Sequence, residues 1–316
     1  MDVSVCILTH HQSELLPQCI ECSFAEIERA DTAGEVILID NASTDGSPQA
    51  AAKRWPEMRL LRNERNLSFA AANNAGVRAS RGRYVLILND DAMLQAGSLA
   101  KMLEKIESDP RMGLVGPKLL NLDGSPQKYF TNLRFPKLRH IVISVLRLNR
   151  VFAKHPMTRD LFTLERDPDR TGDADHLAAA CFLARHDALD QVGGFDEGFQ
   201  FWYEDCDLCY RLKEAGWQVF YVAEARVVHH GSVSTQQWAA SRRTPIFYKS
   251  LTRYFGQHFG LVTCLALRIV LSVGILARTF VAFVLQVCRA GSNPGKYQSY
   301  INASFKALRI LVTEWN

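Results

Sequence analysis

The chain has 316 residues, 47% of them hydrophobic and 22% charged, with no repeat and no low-complexity tract. That balance excludes a disordered or fibrous protein and leaves one large α/β domain with an appendage, or two domains. The net charge of +4 is unevenly spread. Residues 242–316 carry ten Lys/Arg and one acid, for +9, and the 241 residues before them carry 27 Lys/Arg and 32 Asp/Glu, for −5. A basic tail on an acidic body is expected to meet an anionic surface, and no nucleic-acid partner is expected.

The first half alternates. Val3–Leu8 is an apolar run that predicts a strand, and residues 13–30 predict a helix with Leu15, Cys19, Cys22 and Ile27 on one face. Glu35–Asp40 is a second strand, followed by the turn cluster NASTDGS and a helix over 48–55. A short strand over 58–62 follows, then an Ala-rich helix over 68–80 that Ser68 can cap, then a strand over Tyr84–Leu88. Near-continuous apolar strands alternating with helices predict a mostly parallel sheet covered on both faces.

Further on, residues 139–152 read as an amphipathic helix and 166–175 as a mobile loop. The segment AAACFLAR predicts a strand, and 186–199 a short helix and turn. Asp205–Ala215 predicts a helix closed by Gly216, with Glu204 and Asp205 in a first turn where the helix dipole favours anions. QVFYVA and ARVVHH read as two strands, the second ending in His229 and His230. The Cys19/Cys22 and Cys206/Cys209 pairs have zinc-like spacing, but both fall in helical patterns and read as buried thiols. No secretory signal opens the chain, so reduced thiols in a cytoplasmic protein are expected.

Ligands bind outside the carboxyl ends of the strands in sheets of this kind. Three such ends are polar: Thr9-His10-His11, Asp40-Asn41 and Asn89-Asp90-Asp91. Two carboxylates at a strand end can hold a hard cation against a pyrophosphate. They read equally well as a solvated turn or a helix cap. No phosphate-binding P-loop and no dinucleotide fingerprint competes for the nucleotide role.

Four ordered segments, VSVCILTHHQSELLPQCI, EVILIDNASTDGS, NLSFAAANNAGVRASRGRYVLILNDDA and GGFDEGFQFWYEDCDLCYRLKEAGW, together resemble the family 2 glycosyltransferases. The resemblance covers about residues 3–235, and its branch is the rhamnosyltransferase-like enzymes of bacterial surface polysaccharides. It implies a GT-A fold: a Rossmann-like, mostly parallel mixed sheet with helices on both faces. The nucleotide-sugar half would occupy 1–125 and the acceptor half 126–240. It further implies inverting transfer from a UDP- or dTDP-sugar, rhamnose among them, to a glycan or lipid-linked glycan, assisted by Mg²⁺ or Mn²⁺.

Carried over, Thr9, Asp40, Asn41, Asn89 and Asp90 would bind the nucleotide, with Asp40 accepting from the imino N–H of the base. Asp91 would be the metal ligand at the D-x-D position, where Asn stands first. Asp205 would be the general base beside Glu204. His229, 24 residues after Asp205, matches a metal-binding histidine of some members. Asp175 and Trp202 are candidate donor or acceptor contacts. Relatives often have Gly-Ala where this chain has Ala179-Ala180, which leaves the sugar open. The rivals are a sugar-nucleotide nucleotidyltransferase and an inactive glycan-binding scaffold of the same fold.

The tail, 241–316, is helical and basic. Within 259–288, Arg268, Ser272, Arg278, Thr279 and Gln286 fall with Arg289 in a stripe roughly 120° wide at 100° per residue, and the rest is apolar. No 18-residue uncharged apolar run exists, so the expectation is a helix lying in the membrane interface rather than crossing it. This would put the protein peripherally on the cytoplasmic face of a bacterial inner membrane. The rival is a helix packed on the enzyme's own core or in a homodimer interface.

Overall fold

The computed structural model describes residues 1–127, 133–145, 167–231, 239–288 and 294–313. These form two compact units. The first comprises the described residues of 1–135, 167–198 and 204–231; the second comprises 136–145, 199–203 and everything described from 239 onward. The second unit therefore takes in more than the tail beyond 240, because residues 199–203 belong to it.

The first unit is built on one sheet. Its strands are β1 (Val3–Thr9), β2 (Gly34–Asp40), β3 (Arg59–Arg62), β4 (Tyr84–Asn89), β5 (Ala92–Leu94), β6 (Met112–Leu120), β7 (Gly172–Asp173), β8 (Cys181–Arg185) and β9 (Gln218–His229). The order is β3-β2-β1-β4-β8-β6-β9-β5, with β7 on β9. The first four strands in that order are parallel, as their buried apolar runs predict. From β8 onward the sheet is mixed: β8 runs antiparallel to β4 and β6, and β9 is parallel to β6. The carboxyl ends of β1, β2, β4, β6 and β9 thus share one edge, and β8 starts there.

Helices α1 (Leu16–Arg29), α2 (Ser47–Arg54), α3 (Phe69–Ala79) and α4 (Ser98–Glu107) accompany the strands. The Ser68 hydroxyl caps α3 by accepting from Ala71 N–H, as its position predicts. The residues after β4 were not legible as elements. Strand β5 has three residues, and β6 carries Gly113, Gly116 and Pro117, all of which weaken a strand pattern. Helix α4 has no capping side chain of its own. The buried carboxylate of Glu26, on α1, accepts from Gly97 N–H (2.9 Å) and Leu99 N–H (3.1 Å) and pairs with Arg29. At the far end of α4 the buried Arg185 guanidinium donates to the Ile106 carbonyl (2.9 Å).

Two expectations about elements are corrected. The segment read as a mobile loop contains β7, registered on β9 through Gly172 and Asp173. The two strands read at 218–230 are one, β9, because its pairing with β6 bridges Glu224 with a register shift instead of ending there. Helix α5 (Leu138–Val145) covers the start of the predicted 139–152 helix; the rest lies outside the described residues. Helices α6 (His186–Val192) and α7 (Glu204–Glu214) complete the first unit.

The second unit centres on α8 (Ala240–Cys288), broken at Gly260, whose φ of 77° is left-handed, and on α9 (Pro294–Thr313). Beyond Gly260, three polar residues of α8, Arg268, Arg278 and Thr279, are taken up by partners of the second unit. Buried Arg268 donates to the Leu311 and Ile310 carbonyls (2.6 and 3.4 Å) near the C-terminus of α9, the end that attracts a cation. Arg278 donates to Gly274 O and the Tyr248 hydroxyl, and buried Thr279 to Ile275 O. Exposure falls instead on Val262, Leu265, Ile269, Val273, Leu276, Phe280 and Phe283, an apolar stripe along one face. The expectation is of a helix lying in the membrane interface rather than crossing it. By length and composition α8 is long and apolar enough to cross one, because its arginines are few and widely spaced.

Truncating Glu26 strips two α4 N–H groups of their acceptor, a loss worth ~1–3 kcal/mol. Glu26→Ala is expected to lower the unfolding free energy, read by urea titration, by that much. Gln at this position, which keeps one acceptor oxygen, should recover part of the loss.

Candidate active site

At the shared sheet edge the backbone does the positioning. The register pairs Thr9 with Asp40 and Leu8 with Asn89. Asn89 N–H donates to the Ala180 carbonyl (3.0 Å), and the adjacent Ala179 N–H donates to the Asp205 carboxylate (3.2 Å). The second Asp205 oxygen accepts from Cys206 N–H (2.7 Å), at the first turn of α7. The end of β4 and the start of α7 are thus joined through two consecutive residues. Farther along α7, Asp207 is buried and held by Arg211 at 2.7–2.8 Å.

Asp90 and Asp91 separate. The Asp90 carboxyl is buried, and burial pushes its pKa up to about 7, with the Asp91 charge adding to the effect. The buried Thr9 hydroxyl lies beside it and draws it down slightly, short of a well-formed hydrogen bond. Asp91 faces the other way. Its Oδ1 lies 3.4 Å from His229 Nε2, with both side chains buried, and its carbonyl accepts from His230 N–H (2.9 Å). The sheet makes this meeting possible, since β5 starts directly after Asp91 and pairs Ala92 with His229. The other His229 nitrogen, Nδ1, lies 2.9 Å from Gln127 Oε1, while Gln127 Nε2 donates to the His229 carbonyl (2.6 Å).

Glu204 is buried, and one of its oxygens has no partner among the described residues. Burial and the neighbouring Asp205 carboxylate hold its pKa well above the usual carboxylate range, which favours its protonated form. The loop before α7 is fastened from α3: the buried Asn74 side chain exchanges hydrogen bonds with Phe195 N–H and O and donates to Glu197. Gly194 stands where a Cβ would come within 2.6 Å of Asn74 Oδ1.

Not every expected ligand is placed as one. Asp40 is fully buried; its two oxygens accept from Ser43 N–H (2.7 Å) and Arg62 Nε (3.1 Å), so in this structure it braces the turn that follows β2. Asn41 is similarly committed, bonding Leu67 N–H and O, Asn63 and Asn66. Asp175 accepts from Phe135 N–H (3.1 Å) and lies 4.0 Å from Lys213, which holds it as a structural acceptor. Trp202 belongs to the second unit, where it packs edge-on against Phe201 and Phe247. Trp202 and Tyr203 both have positive φ, 65° and 69°. Two consecutive bulky residues in that region store strain directly before Glu204. Seven cysteines, from Cys6 to Cys264, are free, and among the described residues no three His, Cys, Asp or Glu cluster as a protein-only metal cage.

Structural comparison shows which class of protein this edge belongs to. The mannosyltransferase PcManGT from Pyrobaculum calidifontis, solved with GDP-Man and Mn²⁺, shares the fold with a TM-score of 0.57 and 16% identity, over 99% of this chain and 88% of that one. GalNAc-T7, solved with UDP, GalNAc and Mn²⁺, aligns with a TM-score of 0.56 and 16% identity, over 80% of this chain and 47% of that one. The fold is GT-A. Residues 4–193 match the family described as Glycosyl transferase family 2, and the chain belongs to that family. It is therefore a glycosyltransferase. Among its relatives is the N-acetylglucosaminyl-diphospho-decaprenol L-rhamnosyltransferase of Mycobacterium tuberculosis, 35% identical over 218 residues, 65% of this chain and 69% of that protein. The O-antigen biosynthesis protein RfbC of Myxococcus xanthus is 29% identical over 63% of this chain and 15% of its own length.

Asp90 gives a pH prediction. Its pKa in the folded state lies above the ordinary 3.8, so the folded protein keeps a proton that the unfolded chain has released. The stability tied to it is complete below about pH 4 and is lost as the pH rises to about 7. Asp90→Asn should remove this loss, stabilising the ligand-free protein relative to wild type by about 2–4 kcal/mol at pH 7.5 and by much less at pH 4. Urea unfolding of both proteins at the two pH values reads the difference.

Proposed function

We propose that the chain is an inverting, metal-assisted glycosyltransferase that moves a sugar from a UDP- or dTDP-sugar to a hydroxyl of a lipid-linked glycan. The observation that carries this reading is the pair of acidic centres on one sheet edge. Asp91 with His229 forms one centre, and Asp205 with protonated Glu204 forms the other, with the Asn89–Ala180 and Ala179–Asp205 hydrogen bonds between them.

Asp91 and His229 fit a small divalent cation. They offer one carboxylate oxygen and one imidazole nitrogen, which suits Mg²⁺ or Mn²⁺ completing its shell from phosphate oxygens and water. Bound there, the ion would neutralise the charge that develops on a departing nucleoside diphosphate. The Mn²⁺ in both solved neighbours supports a divalent ion of this kind.

On the other side, the Asp205 carboxylate takes the proton of the acceptor hydroxyl as its oxygen attacks the anomeric carbon. The bond from that carbon to the diphosphate oxygen breaks in the same displacement, and the configuration inverts. Glu204, holding its own proton, adds no second negative charge at the base. The hydrogen bonds from Ala179 and Cys206 aim the carboxylate. Thr9, Asn89 and Asp90 are the strand-end groups on the nucleotide side. Asp40 and Asn41 support it by bracing its turns, and Asp175 stands in the acceptor half of the same unit.

The relative named for a diphospho-decaprenol acceptor supports a lipid-linked substrate and the rhamnosyl branch. The same reading fits the second unit. With Arg268, Arg278 and Thr279 taken up within the unit, α8 presents its apolar stripe to the membrane, and the basic tail adds attraction to anionic lipid on the cytoplasmic face of the inner membrane.

Two outcomes test this. Asp205→Asn should lower transfer by about 10²–10⁴-fold while donor binding, measured by calorimetry with Mn²⁺, changes by no more than a few-fold; loss of donor binding instead would remove Asp205 from the base role. The triple variant I269E/V273E/F280E should cut co-sedimentation with anionic phospholipid vesicles by at least tenfold, since each side chain gives up ~1.5–3 kcal/mol of apolar burial. Unchanged co-sedimentation would sink the membrane role of the stripe.

A further inference from the structure

Gln127 is buried at 8% exposure, outside every segment that carried the sequence reading. It follows the turn after β6, its N–H donates to the Leu119 carbonyl (2.8 Å), and Pro126 bridges back to Leu120. Its backbone is therefore fixed to the sheet. Its amide makes two bonds to one residue: Nε2 donates to the His229 carbonyl at 2.6 Å, and Oε1 lies 2.9 Å from His229 Nδ1. Gly231 packs over the pair, its ideal Cβ position 3.5 Å from Gln127 Nε2 and 3.9 Å from His229 Nδ1.

The backbone carbonyl resolves the usual ambiguity of amide and imidazole orientation. A carbonyl only accepts, so the NH₂ end of the amide must face it. The oxygen of the amide must then face Nδ1. An amide oxygen only accepts, so Nδ1 must carry a hydrogen. In the neutral ring the lone pair is consequently on Nε2, the nitrogen aimed at Asp91 Oδ1. The 3.4 Å between them is longer than the ~2.7–2.9 Å of a well-made charge-assisted hydrogen bond. A lone pair aimed at a carboxylate oxygen is the arrangement of two ligands that share a cation. Metal-ligating histidines characteristically donate their second ring N–H to an oxygen acceptor, which fixes the tautomer and raises the ligand's basicity.

We propose that Gln127 is a positioning residue for the cation centre: it holds the His229 ring in the Nδ1–H tautomer and thereby delivers Nε2 to the ion beside Asp91. The inference rests on the metal reading of Asp91 and His229 given above. Its ligand class is a small divalent cation carried with a nucleoside diphosphate.

The experiment titrates Mn²⁺ into the full chain in the presence of UDP, and separately of dTDP, and reads free Mn²⁺ by its electron paramagnetic resonance signal. Gln127→Leu, which removes both amide contacts at similar volume, should weaken Mn²⁺ by about 10–100-fold. Gln127→Glu, which keeps an acceptor on Nδ1, should stay within a few-fold of wild type. That rescue separates positioning from simple packing, because Glu fills the site no better than Leu. Should Gln127→Leu not fold, Gln127→Asn, whose amide is withdrawn by one methylene, carries the same expected loss. Wild-type Mn²⁺ affinity in Gln127→Leu or Gln127→Asn, with affinity lost in Asp91→Ala, would overturn the role of Gln127 and leave the metal reading standing. Wild-type affinity in Asp91→Ala and His229→Ala would remove the metal reading and this proposal together.

Discussion

Much of this site depends on two adjacent alanines. Ala180 gives its carbonyl to the last residue of β4, and Ala179 gives its N–H to Asp205. Small side chains are needed here because the backbone itself bonds on both sides. The antiparallel course of β8 makes the arrangement possible. A parallel strand in that place would begin at the opposite edge and could not bring its entry residues to the end of β4. Acidic centres drawn from residues 90–91 and 204–205 thus become neighbours of one short backbone segment instead of meeting through flexible side chains.

Two kinds of carboxylate emerge around that segment. Asp90 and Glu204 are buried, and desolvation with the charge of the neighbouring carboxylate outweighs the hydrogen bonds that reach them, so both are pushed toward the protonated form. Asp91 has an imidazole beside it and Asp205 has two backbone N–H donors. In each adjacent acidic pair, burial pushes one member toward the protonated form. Mutual repulsion would be severe if all four were ionised at such close quarters. The division also explains how a sheet edge this acidic remains folded.

The parallel half of the sheet was legible because its strands are buried on both faces and read as unbroken apolar runs, Val3–Leu8 and Tyr84–Leu88 among them. The stretch from Ala92 to Leu120 was not, since its helix is capped by Glu26 from 71 residues away and its strand is interrupted by glycines and a proline. Asp91, Asp205 and His229 were visible as members of a motif. Gln127 was not visible, because its partner is set by the pairing of β6 with β9, which local sequence does not encode. Asp40 shows a different limit: a polar residue at a strand end looks the same in sequence whether or not Ser43 and Arg62 bond it, as they do here.

The inside-out construction of α8 has a consequence for how the chain exists at all. A helix that spends Arg268 and Arg278 on carbonyls of its own unit leaves water nothing polar to hold along the exposed stripe. Solubility of the chain then depends on what covers that surface. In plain buffer the available cover is another copy, and self-association should rise with concentration and vanish when detergent takes the stripe. On the membrane reading proposed above, such an enzyme would work in two dimensions, where encounters with a lipid-tethered acceptor are governed by lateral diffusion and surface density.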